Sequence, residues 1–229
     1  MEIGTVEWQR SIRQGSAEYG IELTTDAVEK FSEIAKELAL WNRKINLTSI
    51  TDPKEIAEKH FVDSLACSTY LPRRAKVLDL GTGAGFPGIP LAVISPELSM
   101  TLIDASAKKI SFVKHIIRTL KLQNIRADHI RAEAMARKVK LKDKFDVIVC
   151  RAFSSLGNIL QRSIPLLVEG GMVLALKGNF PLDEIRECGG KDSAFQRIIW
   201  NNIRIEVKSF AYQLPFSKDQ RSLIQMTLL

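Results

Sequence analysis

From Lys76 onward, short apolar runs alternate with amphipathic stretches, and this alternation constrains the fold more than any other feature of the chain. The runs are Val77–Leu80, Met100–Ile103, Phe145–Cys150 and Met172–Leu176, with a weaker one over Ile125–Ile130. Between them, Pro87–Ile94, Ala107–Leu120 and Leu156–Leu167 read as helices. Continuously apolar strands separated by helices require a mostly parallel sheet covered on both faces. The expected fold class is α/β and Rossmann-like. After Ser193, Ile198–Val207 and Leu223–Leu229 read as an antiparallel pair closing one sheet edge.

The first seventy or so residues read differently. Thr24-Thr25-Asp26 is a helix cap, after which Val28, Phe31, Ile34, Ala35, Leu38 and Trp41 recur at helical spacing. Pro53 opens a second helix through Ile56, Phe61, Leu65 and Cys67, ending before Pro72. The predicted division is a helical extension over 1–72 and an α/β domain over 73–229.

At 229 residues the chain can bury a large core, and no apolar run approaches the roughly 20 residues of a membrane span. Met1–Trp8 lacks a basic-then-apolar leader, so a cytoplasmic chain is expected. Cys67, Cys150 and Cys188 are odd in number and far apart, which indicates neither a disulfide framework nor a metal site. The net charge of +7 is concentrated: residues 105–144 hold 12 Lys or Arg against 3 Asp or Glu. Clustered cations suit a polyanion such as RNA; a solvated basic face is the alternative.

The loop after the first apolar run reads Asp79-Leu-Gly81-Thr-Gly83-Ala-Gly85-Phe86-Pro87-Gly88. Glycines let a ligand approach the backbone, and the following helix offers free N–H groups. Gly83-x-Gly85-x-x-Gly88 matches the dinucleotide fingerprint, so a nicotinamide or flavin oxidoreductase is one reading. Yet that match starts beyond the strand end, and Asp79 suits a cationic ligand better than a pyrophosphate. An acid followed by Gly-x-Gly-x-Gly looks like methyltransferase motif I. Asp104, ending the second run, fits an acceptor for ribose hydroxyls with either cofactor, or a cap for the helix after it.

Several further motifs follow in order: Trp41-Asn42-x-x-x-Asn46-Leu47-Thr48, His60-x-x-Asp63-Ser64-Leu65, Lys108-Lys109-x-x-Phe112, Arg131-Ala132-Glu133, Phe145-Asp146-x-x-x-x-Arg151-Ala152 and Lys177-Gly178. Together with the loop, from about Trp41 to Gly178, they resemble the small-subunit ribosomal RNA methyltransferase G family. That resemblance implies a seven-stranded sheet with an antiparallel last strand, S-adenosylmethionine as methyl donor, and N7 of one guanine in 16S rRNA as acceptor. It implies a monomer acting on 16S rRNA or on the small subunit or its precursor, with neither membrane nor metal. By motif, Asp79, Gly81, Gly83, Phe86, Asp104, Ala105, Ser106, Ala132, Glu133 and Arg151 contact the cofactor. Asn42, Asn46, His60, Asp63 and Arg151 border the substrate pocket, and Lys108, Lys109, Lys114, Arg118 and Lys177 face rRNA. No side chain is assigned as a general acid or base.

Local readings stay open beside these. Asn42 and Asn46 could simply end a helix, His60 could be a packing residue, and Arg151 a structural ion pair. Ile110, Val113, Ile117 and Leu120 form the expected buried stripe of the Ala107–Leu120 helix, leaving Lys108, Lys114 and Arg118 outward with Arg126, Arg131, Arg137, Lys138, Lys140 and Lys142 nearby. Cys150 lacks the Pro-Cys context of pyrimidine methylation, and Cys150-Arg151-Ala152-Phe153 lacks the Asp/Asn-Pro-Pro-Tyr/Phe motif of amine methylation. A non-catalytic RNA-binding assembly factor is the remaining alternative.

Overall fold

The computed structural model describes residues 1–229 apart from Phe153 and the side chain of Lys142, so those two sequence expectations lie outside the described residues. Strands β1 (Lys76–Leu80), β2 (Ser99–Asp104), β3 (Ile125–His129), β4 (Phe145–Arg151), β5 (Leu167–Lys177), β6 (Phe195–Trp200), β7 (Ile203–Gln213) and β8 (Gln220–Leu228) form one sheet in the order β3-β2-β1-β4-β5-β8-β7-β6. The first five are parallel; β8 runs antiparallel to β5 and β7, and β6 to β7.

Alternation along each strand sends successive side chains to opposite layers. Val77, Leu102, Val147 and Val149 join one apolar cluster, while Leu78, Leu80, Ile103, Ile148 and Cys150 join the other. Helices α1 (Val6–Ala17), α2 (Thr25–Ile45), α5 (Gly88–Ile94) and α6 (Ala107–Thr119) cover the first face. Helices α8 (Leu156–Ser163) and α9 (Leu182–Glu187), with the short α7 (Ala132–Ala136), cover the second. Trp8, Phe31 and Leu38 of the N-terminal helices are fully buried in the cluster that also holds Leu102 and Phe112, so the apolar core is continuous across residues 72 and 73. Each fully buried large apolar side chain contributes about 1.5–3 kcal/mol, which fixes the N-terminal helices against the sheet.

The Pro53 segment is helical but not uniformly α: Pro53–Glu55 (α3) leads into a π-helical turn, Ile56–Val62, then Asp63–Leu65 (α4). Asp52 caps it, accepting from the backbone N–H groups of Lys54 and Glu55.

Three expectations need correcting. The predicted strand Ile198–Val207 is a hairpin, β6 and β7, because Asn201 and Asn202 turn the chain with positive φ, giving eight strands among the described residues where seven were expected. The helix predicted to reach Leu167 ends at Ser163; Pro165 lies in a following 3₁₀ turn, Ile164–Leu166, and Leu167 already pairs in β5. On α6 the buried side chains are Ile110, Phe112, Val113 and Ile116, with Ile117 and Leu120 only half-buried; Phe112 joins the buried face, packed edge-on against Trp41 of α2. Among the described residues no helix is long and apolar enough to cross a membrane, and no cluster of His, Cys, Asp and Glu is arranged to hold a metal ion.

Candidate active site

The strand order reverses between β1 and β4, the place where open α/β sheets form ligand crevices at the strands' carboxyl ends. The loop from Gly81 to Pro87 leaves β1 at this point. Gly81 and Thr82 both donate their N–H to the Ile103 carbonyl, at 3.0 Å each, tying the loop to the end of β2. Asp79 lies fully buried beneath it: Oδ2 accepts from the Thr82 hydroxyl at 2.6 Å and from the Gly88 N–H at 2.8 Å. Burial raises its carboxyl pKa to about 6. Asp79 therefore braces the loop from below rather than offering its charge at the open face. Two glycines are dictated by this arrangement. A Cβ on Gly88 would lie 2.6 Å from Asp79 Oδ2, and Gly83 has a φ of +59° with only open space where a side chain would be.

Asp104 reaches across from β2. Oδ2 accepts from the Gly83 N–H at 3.0 Å and Oδ1 from the Ser106 N–H at 2.7 Å, while the Ser106 hydroxyl caps α6. A cleft of about 170 Å³ opens here between Gly81, Asp104 and Ala105 on one side and Ala132 and Glu133, at the start of α7, on the other. Glu133 accepts from Arg162 Nε at 2.7 Å; its own backbone N–H and that guanidinium hold the carboxyl below its ordinary pKa.

A second cleft, about 190 Å³, shares Gly81 and continues past Gly83 and Phe86 to Thr48, His60, Lys109, Arg151 and Ala152. A third, about 400 Å³, shares His60, Arg151 and Ala152 and extends to Lys59, Asp63, Lys177 and Arg221. The three form one groove along the carboxyl edge of the sheet. A separate cavity of about 540 Å³ between α1 and the β7–β8 turn shares only Lys59 with it and touches none of the glycine loop.

At the centre of the groove, Arg151 Nη1 donates to the Lys59 carbonyl at 2.6 Å and to Asp63 Oδ2 at 3.3 Å, and Nη2 to His60 Nδ1 at 3.4 Å. The guanidinium stands 5.6 Å from the Phe86 ring centre, and the same ring stacks on His60 at 4.6 Å. His60 is 6% exposed; desolvation and then Arg151 push its pKa down to about 3, so the imidazole is neutral at physiological pH. With Nδ1 accepting from Arg151, the proton sits on Nε2, 3.0 Å from the Thr48 hydroxyl. Ala152, next along, holds a left-handed φ of +48°, a strain of about 1 kcal/mol of the kind found at functional sites.

Several sequence-predicted residues do other work. Asn42 is engaged within the α2–α3 connection: Oδ1 accepts from the Leu47 and Thr48 N–H groups and Nδ2 donates to the Thr48 carbonyl, so it holds Thr48 in place for His60, and it lines a separate cleft of about 360 Å³ with Leu38, Thr48 and Ile56. Asn46 is exposed and ends α2 with a φ of +44°. Lys177 does not present its ammonium outward; Nζ donates to the Ser154 carbonyl at 2.6 Å and to Glu184 at 2.7 Å, with the side chain 13% exposed. Cys150 is buried and its thiol is pushed up to about 12, which removes it as a nucleophile and leaves it as core. Lys108, Lys114 and Arg118 are exposed on α6, and Lys109 at its first turn lines the groove. Sequence reasoning missed Tyr212, whose hydroxyl donates to Asp63 Oδ1 at 2.8 Å, and Arg221, whose Nε lies 3.9 Å from that oxygen. Their only available signal was the β7–β8 register, which sets them opposite each other.

Comparison with known proteins agrees with this geometry. The family described as rRNA small subunit methyltransferase G matches residues 27–205. The ribosomal RNA small subunit methyltransferase G of Geobacter sulfurreducens is 40% identical over 217 residues, covering 95% of this chain and 96% of the relative. That of Desulfitobacterium hafniense is 46% identical over 167 residues, 73% of this chain and 70% of the relative. Among solved structures, a predicted O-methyltransferase from Agrobacterium tumefaciens superposes with a TM-score of 0.55 at 18% identity, covering 72% of this chain and 80% of that one, a likeness of fold. A methyltransferase sheet, a motif-built groove at its carboxyl edge and relatives aligned along nearly the whole chain converge: this protein belongs to the rRNA small subunit methyltransferase G family.

Proposed function

We propose that this protein transfers a methyl group from S-adenosylmethionine to N7 of one guanine in 16S rRNA, in the cytoplasm. The observation that carries this reading is the row of adjoining clefts that share lining residues, from one at Asp104 and Glu133, past the glycine loop, to a wider one around Arg151.

The residues fit the donor. Each Asp104 oxygen accepts one backbone N–H and keeps a lone pair for a ribose hydroxyl. Ile103, Ile130 and Ala132 give the first cleft apolar walls for a base, and the open space over Gly83 admits the amino-acid end close to the backbone. When bound, S-adenosylmethionine supplies an electrophilic methyl group on a sulfonium. The chain holds the acceptor against it. Guanine N7 has an unprotonated lone pair in the plane of the base, so no proton has to be taken from it. The groove suits such an acceptor: among the described residues, His60 has both nitrogens engaged, Asp63 is paired with Arg151 and Tyr212, and the Cys150 thiol stays protonated. Rate acceleration then rests on alignment by Arg151, Phe86 and the loop, an effect that can reach about 7–11 kcal/mol.

The exposed cations of α6 lie beside this groove, and Arg126, Arg131, Arg137, Lys138 and Lys140 are exposed farther along the same basic segment. They form a surface suited to RNA phosphates. Paired RNA hides its base edges, so an accessible or flipped loop guanine is the fitting substrate. The test is to digest 16S rRNA from cells lacking this protein and from cells given it back, and to search by mass spectrometry for 7-methylguanosine. Appearance of that nucleoside only with the intact chain is expected; an unchanged methylation pattern would overturn the reading and favour a non-catalytic assembly factor.

A further inference from the structure

Arg151 is a long side chain whose head must be held still if it orders an acceptor base, and the contacts holding it come from distant parts of the chain. The Lys59 carbonyl, His60 and Asp63 belong to the π-helical turn and the start of α4. Asp63 Oδ2 faces Arg151, and Oδ1 is taken by the Tyr212 hydroxyl at 2.8 Å, with Arg221 farther off at 3.9 Å. Asp63 is buried, with its side chain 7% exposed, so water does not replace a lost partner easily. Tyr212 is in turn seated by the ring of Tyr19, edge-on at 5.8 Å, whose hydroxyl donates to the Gln213 carbonyl. Without the Tyr212 hydroxyl, the partner left at Oδ1 among the described residues is Arg221 at 3.9 Å, and a carboxylate rotated toward Arg221 no longer grips Arg151. On the proposed reading of the groove, we infer that Tyr212 is a positioning residue for methyl transfer, acting through Asp63 to hold the Arg151 guanidinium at the acceptor cleft.

The C-terminal hairpin thereby becomes part of the acceptor wall, although it lies outside the glycine loop and the nucleoside cleft. Tyr212→Phe keeps the ring and removes only the hydroxyl. With S-adenosylmethionine and 16S rRNA, it should lower kcat on the order of tenfold while the dissociation constant for the methyl donor stays within about twofold. Asp63→Asn should reproduce that split, and the double variant should lose no more than Asp63→Asn alone, because the two act in series. Additive losses, or equal falls in donor affinity and kcat, would overturn the inference. The Nε–H resonance of Arg151, read by NMR without any substrate, should broaden or shift in Tyr212→Phe; an unchanged resonance would also overturn it. Should Tyr212→Phe melt below the assay temperature, Asp63→Asn with its Arg151 resonance gives the same decision. A wild-type protein that methylates no rRNA would count against the proposed function, whereas the Arg151 resonance decides the positioning role separately.

Discussion

The two ends of the groove are built in opposite ways. At the nucleoside end, local backbone does most of the work: Asp79 holds Thr82 and Gly88, and Asp104 holds Ser106 and Gly83, partners between 2 and 21 residues apart. At the acceptor end, side chains do it across the chain. Arg151 reaches Lys59 and Asp63, 92 and 88 residues away, and Asp63 is held by Tyr212, 149 residues on. On the proposed function, a donor common to many reactions would meet a compact local loop, and an acceptor peculiar to one reaction a wall assembled from the helical N-terminus, β4 and the final hairpin.

The most damaging way to break this contrast is at the local end. Gly88→Ala would place a methyl 2.6 Å from Asp79 Oδ2 and 2.8 Å from Leu102 Cδ1, both in the packed interior. Overpacking of this kind costs about 1–3 kcal/mol, and displacement of Asp79 also loosens the loop, so the urea midpoint should fall and methyl-donor affinity should drop more than tenfold. Retention of both would mean that the loop is not braced as described.

Asp104→Ala should have a smaller and more selective effect. Removing one charged acceptor weakens methyl-donor binding several-fold, on the scale of about 1 kcal/mol, while RNA affinity stays nearly intact by titration. Equal losses in both would erase the distinction between the two ends.

The smallest predicted effect sharpens the acceptor end. His60 has a folded pKa of about 3 against an ordinary 6.5, so the unfolded chain takes up its proton first. Its stabilising contribution is complete above pH 6.5 and is lost as pH falls toward 3. Wild type should lose about 1 kcal/mol more than His60→Gln between about pH 7.5 and about pH 5.5 in denaturant titrations. Asp79, raised to about 6, acts in the opposite sense below that pH in both proteins and cancels in the comparison.

The same contrast explains what could be read from the sequence. The α/β core is legible because β1, β2, β4 and β5 each contain a short apolar run, with only a weaker one in β3, and the glycine loop because its partners are sequence neighbours. The β6–β7 hairpin was hidden inside one apolar stretch, since Asn201-Asn202 carries no glycine or proline to mark the turn. Arg151 and Asp63 were visible as motif residues, but Tyr212 and Arg221 have no local pattern; only the folded register brings them to Asp63. Asn42 and Lys177 show the complementary case: the sequence marks their polar heads but not their partners, which are the Leu47–Thr48 backbone for Asn42 and the Ser154 carbonyl with the Glu184 carboxylate for Lys177.

The most direct test of alignment without proton transfer is a single-turnover measurement of labelled methyl transfer to 16S rRNA, with 7-methylguanosine identified as the product, followed from about pH 7 to about pH 9. His60 near 3 and Cys150 near 12 both titrate outside that range. A rate that stays flat is the predicted result. A rate climbing about tenfold per pH unit, the signature of a general base losing its proton before transfer, would contradict the account.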